Sequence, residues 1–216
     1  MNLRIKICCI SSEQEAATAI SFGASAIGLV AKMPSGPGPI ADELIERIAK
    51  TLPPPIAAFL LTSEQTADGI IEHHHRTHTN TIQIVDELLG REYGAIRSAL
   101  PHVKLVQVIH VVGESSVDEA AELAEFVDAI LLDSGNPTLA VKELGGTGRR
   151  HDWKLSRKIV ETCGKPVFLA GGLNAENVRE AIDFVQPFGL DICSGVRTDG
   201  NLDPFKLERF FTAANN

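Results

Sequence analysis

Two glycine-bearing turns near the end of the chain have the residue types that bind a phosphate group. They close two short apolar runs in PVFLAGGLNAENVREAIDFVQPFGLDICSGVR, residues 166–197, with a helical pattern between them. Glycine lets the backbone approach an anion closely, and amides at such turns converge on it together with the positive end of a helix. A single turn of this kind more often just redirects the chain, but two across one strand-helix-strand unit favour a phosphate pocket. The amides expected there belong to Gly171, Gly172, Ser194 and Gly195.

A thiol and a carboxylate stand out among the polar residues at the ends of predicted strands. Cys8 ends the first strand and Asp133 the sixth, and Lys6 shares a face with Cys8 through the two-residue period of a strand. His110 ends the fifth strand, and Asp191 lies in the eighth. Structural roles remain open, with Cys8 as a small buried hydrophobe and Asp133 as a loop-capping acid. For Lys6, a charge-paired strand lysine is favoured over a Schiff-base lysine.

The histidines and cysteines do not have the spacing of a metal site. Residues 73–75 are three consecutive histidines, but neighbours on a helix point about 100° apart and do not converge on one ion, so we interpret them as a solvated helix end. Cys8, Cys9, Cys163 and Cys193 lack paired CxxC spacing, which argues against zinc or a disulfide framework and favours reduced thiols. No metal ligands are predicted.

Composition favours a domain that acts on a small molecule. The 216 residues fit a single domain, residues 1–216, that buries a sizeable core without disulfides. A net charge of −8 with one Trp and one Tyr argues against a nucleic-acid surface. The first ten residues carry too short an apolar run for a signal peptide, and no stretch reaches the roughly 18 apolar residues that a membrane-spanning helix needs. We therefore expect a cytoplasmic protein that contacts no membrane.

Strand and helix patterns alternate eight times along the chain. Apolar and β-branched runs predict strands at 3–9, 26–31, 56–61, 81–85, 103–110 and 129–133, and two more within 166–197. A helical pattern follows each strand, and Ser63 is the expected cap of the third helix. The Pro- and Gly-rich loop at 33–40 is a candidate lid, and the long connection after Asp133 is expected to be functional. Eight units favour a closed (βα)8 barrel over a flavodoxin-like open sheet.

Several segments resemble the signatures of phosphoribosylanthranilate isomerases. IKICCIS, LLD, GGTGRRHDW, VFLAGGLNAENV and LDICSGVRTDGNLDPFKL are similar, in order, to that family's KICGIT, LLD, GGTG..FDW, LAGGL...NV and D..SGVE...G..D..K. IQIVDE also lies where the family has VQLHGDE. The resemblance covers nearly the whole chain and implies a (βα)8 barrel that needs no metal or organic cofactor. It implies the conversion of N-(5'-phosphoribosyl)anthranilate to 1-(2-carboxyphenylamino)-1-deoxyribulose 5-phosphate in tryptophan biosynthesis.

The resemblance also implies roles for individual residues. It makes Asp133 the general acid that protonates the ribose ring oxygen and Cys8 the general base that removes the C2 proton. An acid whose pKa is raised by an apolar barrel mouth suits the first step, and a thiolate stabilised by Lys6 suits the second. The substrate-binding residues implied or expected are Lys6, Gly146, Gly171, Gly172, Asp191, Ser194, Gly195 and Arg197.

Departures from the family pattern concern the part of the substrate beyond the phosphoribosyl group. Where the family has an arginine that holds the anthranilate carboxylate, this chain has SGPGPI, with Gly38 nearest to it, which removes a contact worth about 1.5 to 3 kcal/mol. Arg197, in place of a family glutamate, is the preferred substitute, with Lys32 and Arg149 as alternatives. Cys9 replaces a family glycine and is expected to point away from the pocket.

Three functions therefore stay open for a monomer or homodimer. The first is a phosphoribosylanthranilate isomerase. The second is a paralogous isomerase of another phosphoribosyl amine or phosphosugar, which the missing arginine favours. The third is a catalytically silent phosphosugar-binding barrel, which the presence of both Cys8 and Asp133 disfavours.

Overall fold

Eight parallel strands close into one barrel, which confirms the predicted fold. The computed structural model describes residues 3–136, 139, 141–144 and 148–216. The strands run in chain order around the barrel, and the eighth pairs with the first. They are β1 (Arg4–Ile7), β2 (Ala26–Val30), β3 (Ala57–Thr62), β4 (Thr81–Ile84), β5 (Lys104–His110), β6 (Ala129–Asp133), β7 (Val167–Leu169) and β8 (Gly189–Ile192).

A helix follows each strand and covers the barrel from outside. A short antiparallel hairpin of β9 (Arg197–Thr198) and β10 (Asn201–Leu202) lies between β8 and the last helix. The helices are α1 (Glu13–Ser21), α2 (Asp42–Thr51), α3 (Ala67–Thr77), α4 (Tyr93–Ala99), α5 (Ser115–Ala124), α6 (Trp153–Thr162), α7 (Val178–Val185) and α8 (Pro204–Asn215).

Apolar side chains on both faces of the strands explain their near-continuous apolar sequences. One layer packs between strands and helices and contains Ile7 and Leu60. A second layer fills the barrel interior, where the rings of Phe59 and Phe168 meet edge to face with centroids 5.9 Å apart. Because the interior is filled with side chains, a substrate has room at the ends of the strands, where the loops are.

The third helix begins later than the sequence predicts. The hydroxyl of Thr66, and not that of Ser63, caps α3 by accepting a hydrogen bond from the Gly69 amide at 3.2 Å. Ser63 lies just after β3 and donates instead to the Lys32 carbonyl at 3.0 Å. The expected cap was wrong because the chain needs the residues between Thr62 and Thr66 to leave the barrel before the helix starts.

The histidine run is not a solvated helix end, because His73 and His74 are buried. The Nδ1 of His73 lies 2.8 Å from the Thr62 hydroxyl, and its Nε2 lies 3.1 Å from the Asp42 carboxylate. The Nε2 of His74 lies 2.7 Å from the Thr79 carbonyl. His73 thus connects α3 to β3 and α2, and His74 holds the turn that follows α3. Within the described residues no group of three His, Cys, Asp or Glu side chains could hold a metal ion.

Candidate active site

A buried ion pair lies beneath the carboxyl ends of β1 and β8. Lys6 and Asp191 are register partners on these strands, and the Lys6 Nζ lies 2.8 Å from the Asp191 carboxylate. Burial opposes the charge on Lys6, but Asp191 and the Cys8 sulfur together raise the pKa of Lys6 above its ordinary value. A Cβ on Gly28 would lie 2.9 Å from the Lys6 Nζ and 2.7 Å from the Cys8 sulfur, so glycine there makes room for both groups.

The Cys8 thiol lies directly after β1 with its neighbour Cys9 beside it. A hydrogen bond from the Cys9 side chain and the charge of Lys6 lower the pKa of the Cys8 thiol, although burial opposes them. The pKa of Cys9, in contrast, is raised by hydrogen bonds with Cys193 and Cys8 and by burial, so Cys9 remains a thiol. The resulting arrangement favours a thiolate at Cys8, as a general base requires.

The expectation that Cys9 points away from the pocket was wrong. Cys9 lines the same cavity as Cys8. The two-residue alternation applies within a strand, but β1 ends at Ile7, and Cys9 adopts a left-handed backbone with φ of 61°. That turn brings both sulfurs to the same side of the chain.

Asp133 ends β6, two strands from β8 around the barrel. Burial raises the pKa of its carboxyl group, although a hydrogen bond from the Ser134 amide, at 2.7 Å, and the nearby His110 oppose this. His110 is its register partner on β5 and contacts the Val85 carbonyl through Nε2 at 3.1 Å. A carboxyl group whose pKa is raised holds its proton to a higher pH, which suits general acid catalysis.

Three loops meet at the predicted phosphate turns. Gly148, Gly171 and Gly172 all have positive φ, of 66°, 85° and 63°. A Cβ on Gly172 would lie 2.9 Å from the carbonyl carbon of Arg149, and a Cβ on Gly148 would lie 3.7 Å from the Ser194 hydroxyl. The loop before α6 therefore packs against the turns after β7 and β8.

These residues surround one cavity of about 730 Å³, including space open to solvent. Of the residues predicted for the site, it is lined by Cys8, Asp133, Gly171, Gly172, Asp191 and Ser194. Lys6 lies beneath it and Gly195 packs against the Leu173 carbonyl, so neither forms the wall. Gly146 lies outside the described residues.

The cavity has further walls that sequence reasoning missed. The loop after β2 contributes Met33 and Ser35, and its Ser35 hydroxyl donates to the Lys142 carbonyl at 2.6 Å. Gln83 projects from β4, and its Oε1 is buried without a hydrogen-bond partner. Its position at the end of an apolar strand was the available signal. The amide carbonyl of Gln83 could accept a hydrogen bond from a substrate hydroxyl.

Arg197 is not available as the predicted carboxylate ligand. Its guanidinium contacts Glu15 at 3.0 Å and also donates to the backbone carbonyls of Cys9 and Gly200. Although burial opposes the charge, Glu15 raises the pKa of Arg197 further. Glu15 and the carbonyls already hold the guanidinium, and Arg197 does not line the cavity. Of the alternatives, Lys32 lines a neighbouring open cleft, and Arg149 contacts Glu143.

The family model described as N-(5'phosphoribosyl)anthranilate (PRA) isomerase matches residues 5–213. The chain belongs to the phosphoribosylanthranilate isomerase family. Two members resemble it over nearly their whole length. N-(5'-phosphoribosyl)anthranilate isomerase 2 of Methanosarcina mazei is 35% identical and covers 99% of this chain and 95% of its own. The isomerase of Methanosarcina acetivorans is 33% identical, with 96% and 91% covered.

Solved structures of phosphoribosylanthranilate isomerases share the barrel. The Thermotoga maritima enzyme is 29% identical, with a TM-score of 0.81 and coverage of 99% of this chain and 98% of that one. A second structure, in complex with reduced 1-(o-carboxyphenylamino)-1-deoxyribulose 5-phosphate, is 27% identical, with a TM-score of 0.78 and the same coverage. The described helices of the present chain include none that is both long and apolar enough to cross a membrane.

Proposed function

We propose that this protein converts N-(5'-phosphoribosyl)anthranilate to 1-(2-carboxyphenylamino)-1-deoxyribulose 5-phosphate, as its family membership implies. The observation that carries the proposal is the shared cavity of Cys8, Asp133 and the glycine turns. A phosphosugar-binding protein needs the turns alone. The additional thiol and carboxyl group, with pKa values shifted in the directions that proton transfer needs, favour an enzyme.

The reaction follows from the protonation states of the two groups. The amides of Gly171, Gly172 and Ser194 hold the phosphate and so fix the ribose between Asp133 and Cys8. Asp133 gives its proton to the ring oxygen as the bond from C1 to that oxygen breaks and the amine nitrogen forms an imine. The Cys8 thiolate then takes the proton from C2, and the resulting enol tautomerises to the ketone. Lys6 stabilises the thiolate from below.

Turnover is tested by following the loss of substrate fluorescence after adding purified protein. We expect Cys8→Ser and Asp133→Asn each to lower kcat by at least about a hundredfold with unchanged circular dichroism spectra. Cys163→Ser is the matched control, because that buried thiol contacts the Lys165 carbonyl at 3.6 Å and does not line the cavity. A wild-type protein without turnover would reject the proposal, and an active Cys8 or Asp133 variant would remove that residue from the mechanism.

A second candidate is an isomerase whose substrate has a different amine group. It is favoured by the cavity wall, which has no Lys or Arg among the described residues, and by Gly38 in place of the family arginine. The aniline analogue of the substrate, which lacks the carboxylate, separates the two candidates. A kcat/KM at least about tenfold higher for phosphoribosylanthranilate than for this analogue supports the first, and equal or reversed values support the second.

A further inference from the structure

Three thiols lie in a row at the mouth of the site. The sulfurs of Cys193 and Cys9 are 2.7 Å apart, and the Cys9 side chain forms a hydrogen bond with Cys8. All three residues are free cysteines that line the open cavity, and Cys193 is the more exposed partner of its pair. Cys9 and Cys193 are 184 residues apart in sequence, so the closed barrel alone brings them together.

We propose that Cys9 and Cys193 are a redox modification site, at which oxidation by a hydroperoxide forms a disulfide that silences Cys8. They follow β1 and β8, which are neighbours across the seam of the barrel, where the Cys8 amide donates to the Ile192 carbonyl at 2.8 Å. Sulfurs already in contact at this seam need little backbone movement to reach bonding distance. The silencing part of the proposal rests on the proposed function.

Hydrogen peroxide is the oxidant considered. The more exposed Cys193, as thiolate, attacks one peroxide oxygen; the bond between the oxygens breaks, and the leaving hydroxide takes up a proton to form water. Cys193 is then a sulfenic acid. Cys9 loses its proton and attacks the Cys193 sulfur, so that the sulfur–sulfur bond forms, the sulfur–oxygen bond breaks, and a second hydroxide leaves and becomes water. The two sulfurs lose two electrons in total, and the peroxide gains them.

The disulfide removes the hydrogen that Cys9 offers to Cys8. Without that hydrogen bond, the pKa of Cys8 rises, because burial and the Asp191 charge still act against its ionised form. A smaller fraction of Cys8 is then thiolate. Cys8 itself is the alternative target of peroxide. The Cys8 side chain is buried, with Lys6 beneath it and Cys9 beside it, whereas Cys193 is half-buried and more open to the oxidant.

The test oxidises reduced, reductant-free protein with hydrogen peroxide and maps cysteine pairs by mass spectrometry of non-reduced peptides. We expect a Cys9–Cys193 bridge, activity that falls as the bridge forms, and recovery with dithiothreitol. Cys193→Ser should lose its own starting activity at least about tenfold more slowly than the wild type, while Cys163→Ser matches the wild type. Cys9→Gly, which also removes the pair, provides a second variant if Cys193→Ser folds poorly.

A second readout needs no substrate. Alkylation of Cys8 by iodoacetamide at neutral pH should slow by about tenfold once the bridge is present, because the thiolate is the reactive form. A protein that never turns over phosphoribosylanthranilate rejects the proposed function, while mapping and alkylation still decide the modification site. Peroxide that adds oxygen to Cys8 or joins Cys8 to Cys9 overturns the proposal. So does a Cys9–Cys193 bridge that leaves Cys8 alkylation unchanged.

Discussion

Arg197 lies near the pocket, but its ion pair with Glu15 gives it a role in stabilising the fold. Its side chain is 8% exposed and that of Glu15 is 14% exposed, and Glu15 also accepts from the Leu202 amide at 2.9 Å. The pair thus ties α1 to the loop after β8. Although burial opposes it, the hydrogen bonds from Arg197 lower the pKa of Glu15.

We expect Arg197→Ala to lower the free energy of unfolding by about 2 to 3 kcal/mol, because it leaves the Glu15 carboxylate largely buried and unpaired. Urea denaturation measures this loss. Adding Glu15→Gln should recover part of it, since the uncompensated charge is then gone. An unchanged stability together with a raised KM for phosphoribosylanthranilate would restore Arg197 as a substrate ligand.

The sequence predicted which side chains face the site where local strand rules apply, but not where a side chain contacts a residue far away in sequence. Cys8 and Asp133 were found because a strand end in a parallel barrel faces the site. Cys9 was misplaced because the alternation rule stops at Ile7, the last residue of β1. The role of Arg197 depends on Glu15, 182 residues away, and no local pattern indicates that contact.

At the scale of elements, the loops that follow the strands build the site by packing on one another. A substitution in the turn after β7 tests whether this packing is needed for phosphate binding. Gly172→Ala adds a Cβ that would lie 2.9 Å from the Gly148 carbonyl oxygen and the Arg149 carbonyl carbon, and backbone atoms cannot rotate away as a side chain can. We expect at least about a tenfold weaker inhibition by inorganic phosphate, as measured by its Ki.

Gly164→Ala is the matched control for that variant. Gly164 also has a positive φ, of 67°, but a Cβ there would meet nothing within 4 Å. Both variants should lose about 1 kcal/mol of stability from the left-handed backbone, whereas phosphate inhibition should weaken in Gly172→Ala alone. Equal Ki values in the two variants would show that the turn does not bind phosphate.

The loop after β2 and the end of β1 form a second coupled pair of elements. A Cβ on Gly38 would lie 2.7 Å from the Cβ of Cys9, so the Cys9 side chain occupies the space that a larger residue at position 38 would need. Relative to the family pattern, the chain has a larger residue at position 9 and a smaller one at position 38. The two departures therefore compensate each other sterically, and the positive φ of 82° at Gly38 is a further cost for any larger residue unless the loop changes its backbone.

Restoring the family residues should accordingly work as a pair. We expect Gly38→Arg alone to give no gain in kcat/KM for phosphoribosylanthranilate, because the arginine displaces the loop. Cys9→Gly removes the hydrogen bond to Cys8, so it serves as the reference: adding Gly38→Arg to it should raise kcat/KM about tenfold over Cys9→Gly alone, the lower end of what a charged hydrogen bond contributes. Gly38→Gln in that background controls for size without charge. Equal effects of Arg and Gln, or a gain from Gly38→Arg alone, would contradict the coupling.

At the scale of the whole molecule, the barrel was predictable because the strand and helix patterns alternate eight times. The histidines were not, since their burial depends on contacts between elements. Besides His73 and His74, His151 is largely enclosed where the loop before α6 meets the turn after β7. Its Nε2 lies 2.7 Å from the Ser156 hydroxyl, and a Cβ on Gly171 would lie 3.1 Å from its Nδ1.

This enclosure makes the stability of the protein sensitive to mild acid. Burial lowers the pKa of His151 from 6.5 to about 4, although the Asp152 charge opposes it. Between these two values the unfolded chain binds a proton that the folded protein does not, so the free energy of unfolding falls as pH drops through this window. Asp42 and Asp128 have lowered pKa values, so their contribution to the free energy of unfolding is lost only at lower pH, below their ordinary pKa of 3.8.

We expect His151→Gln to remove this part of the pH dependence, because glutamine keeps a polar contact for Ser156 but does not titrate. The difference in unfolding free energy between wild type and variant should shift by up to about 3 kcal/mol against the wild type from pH 7 to pH 4. His102→Gln, a substitution of an exposed histidine, controls for the chemical change. Urea denaturation at several pH values measures both differences. Parallel curves for wild type and His151→Gln would mean that His151 is protonated as readily in the folded barrel as in the unfolded chain.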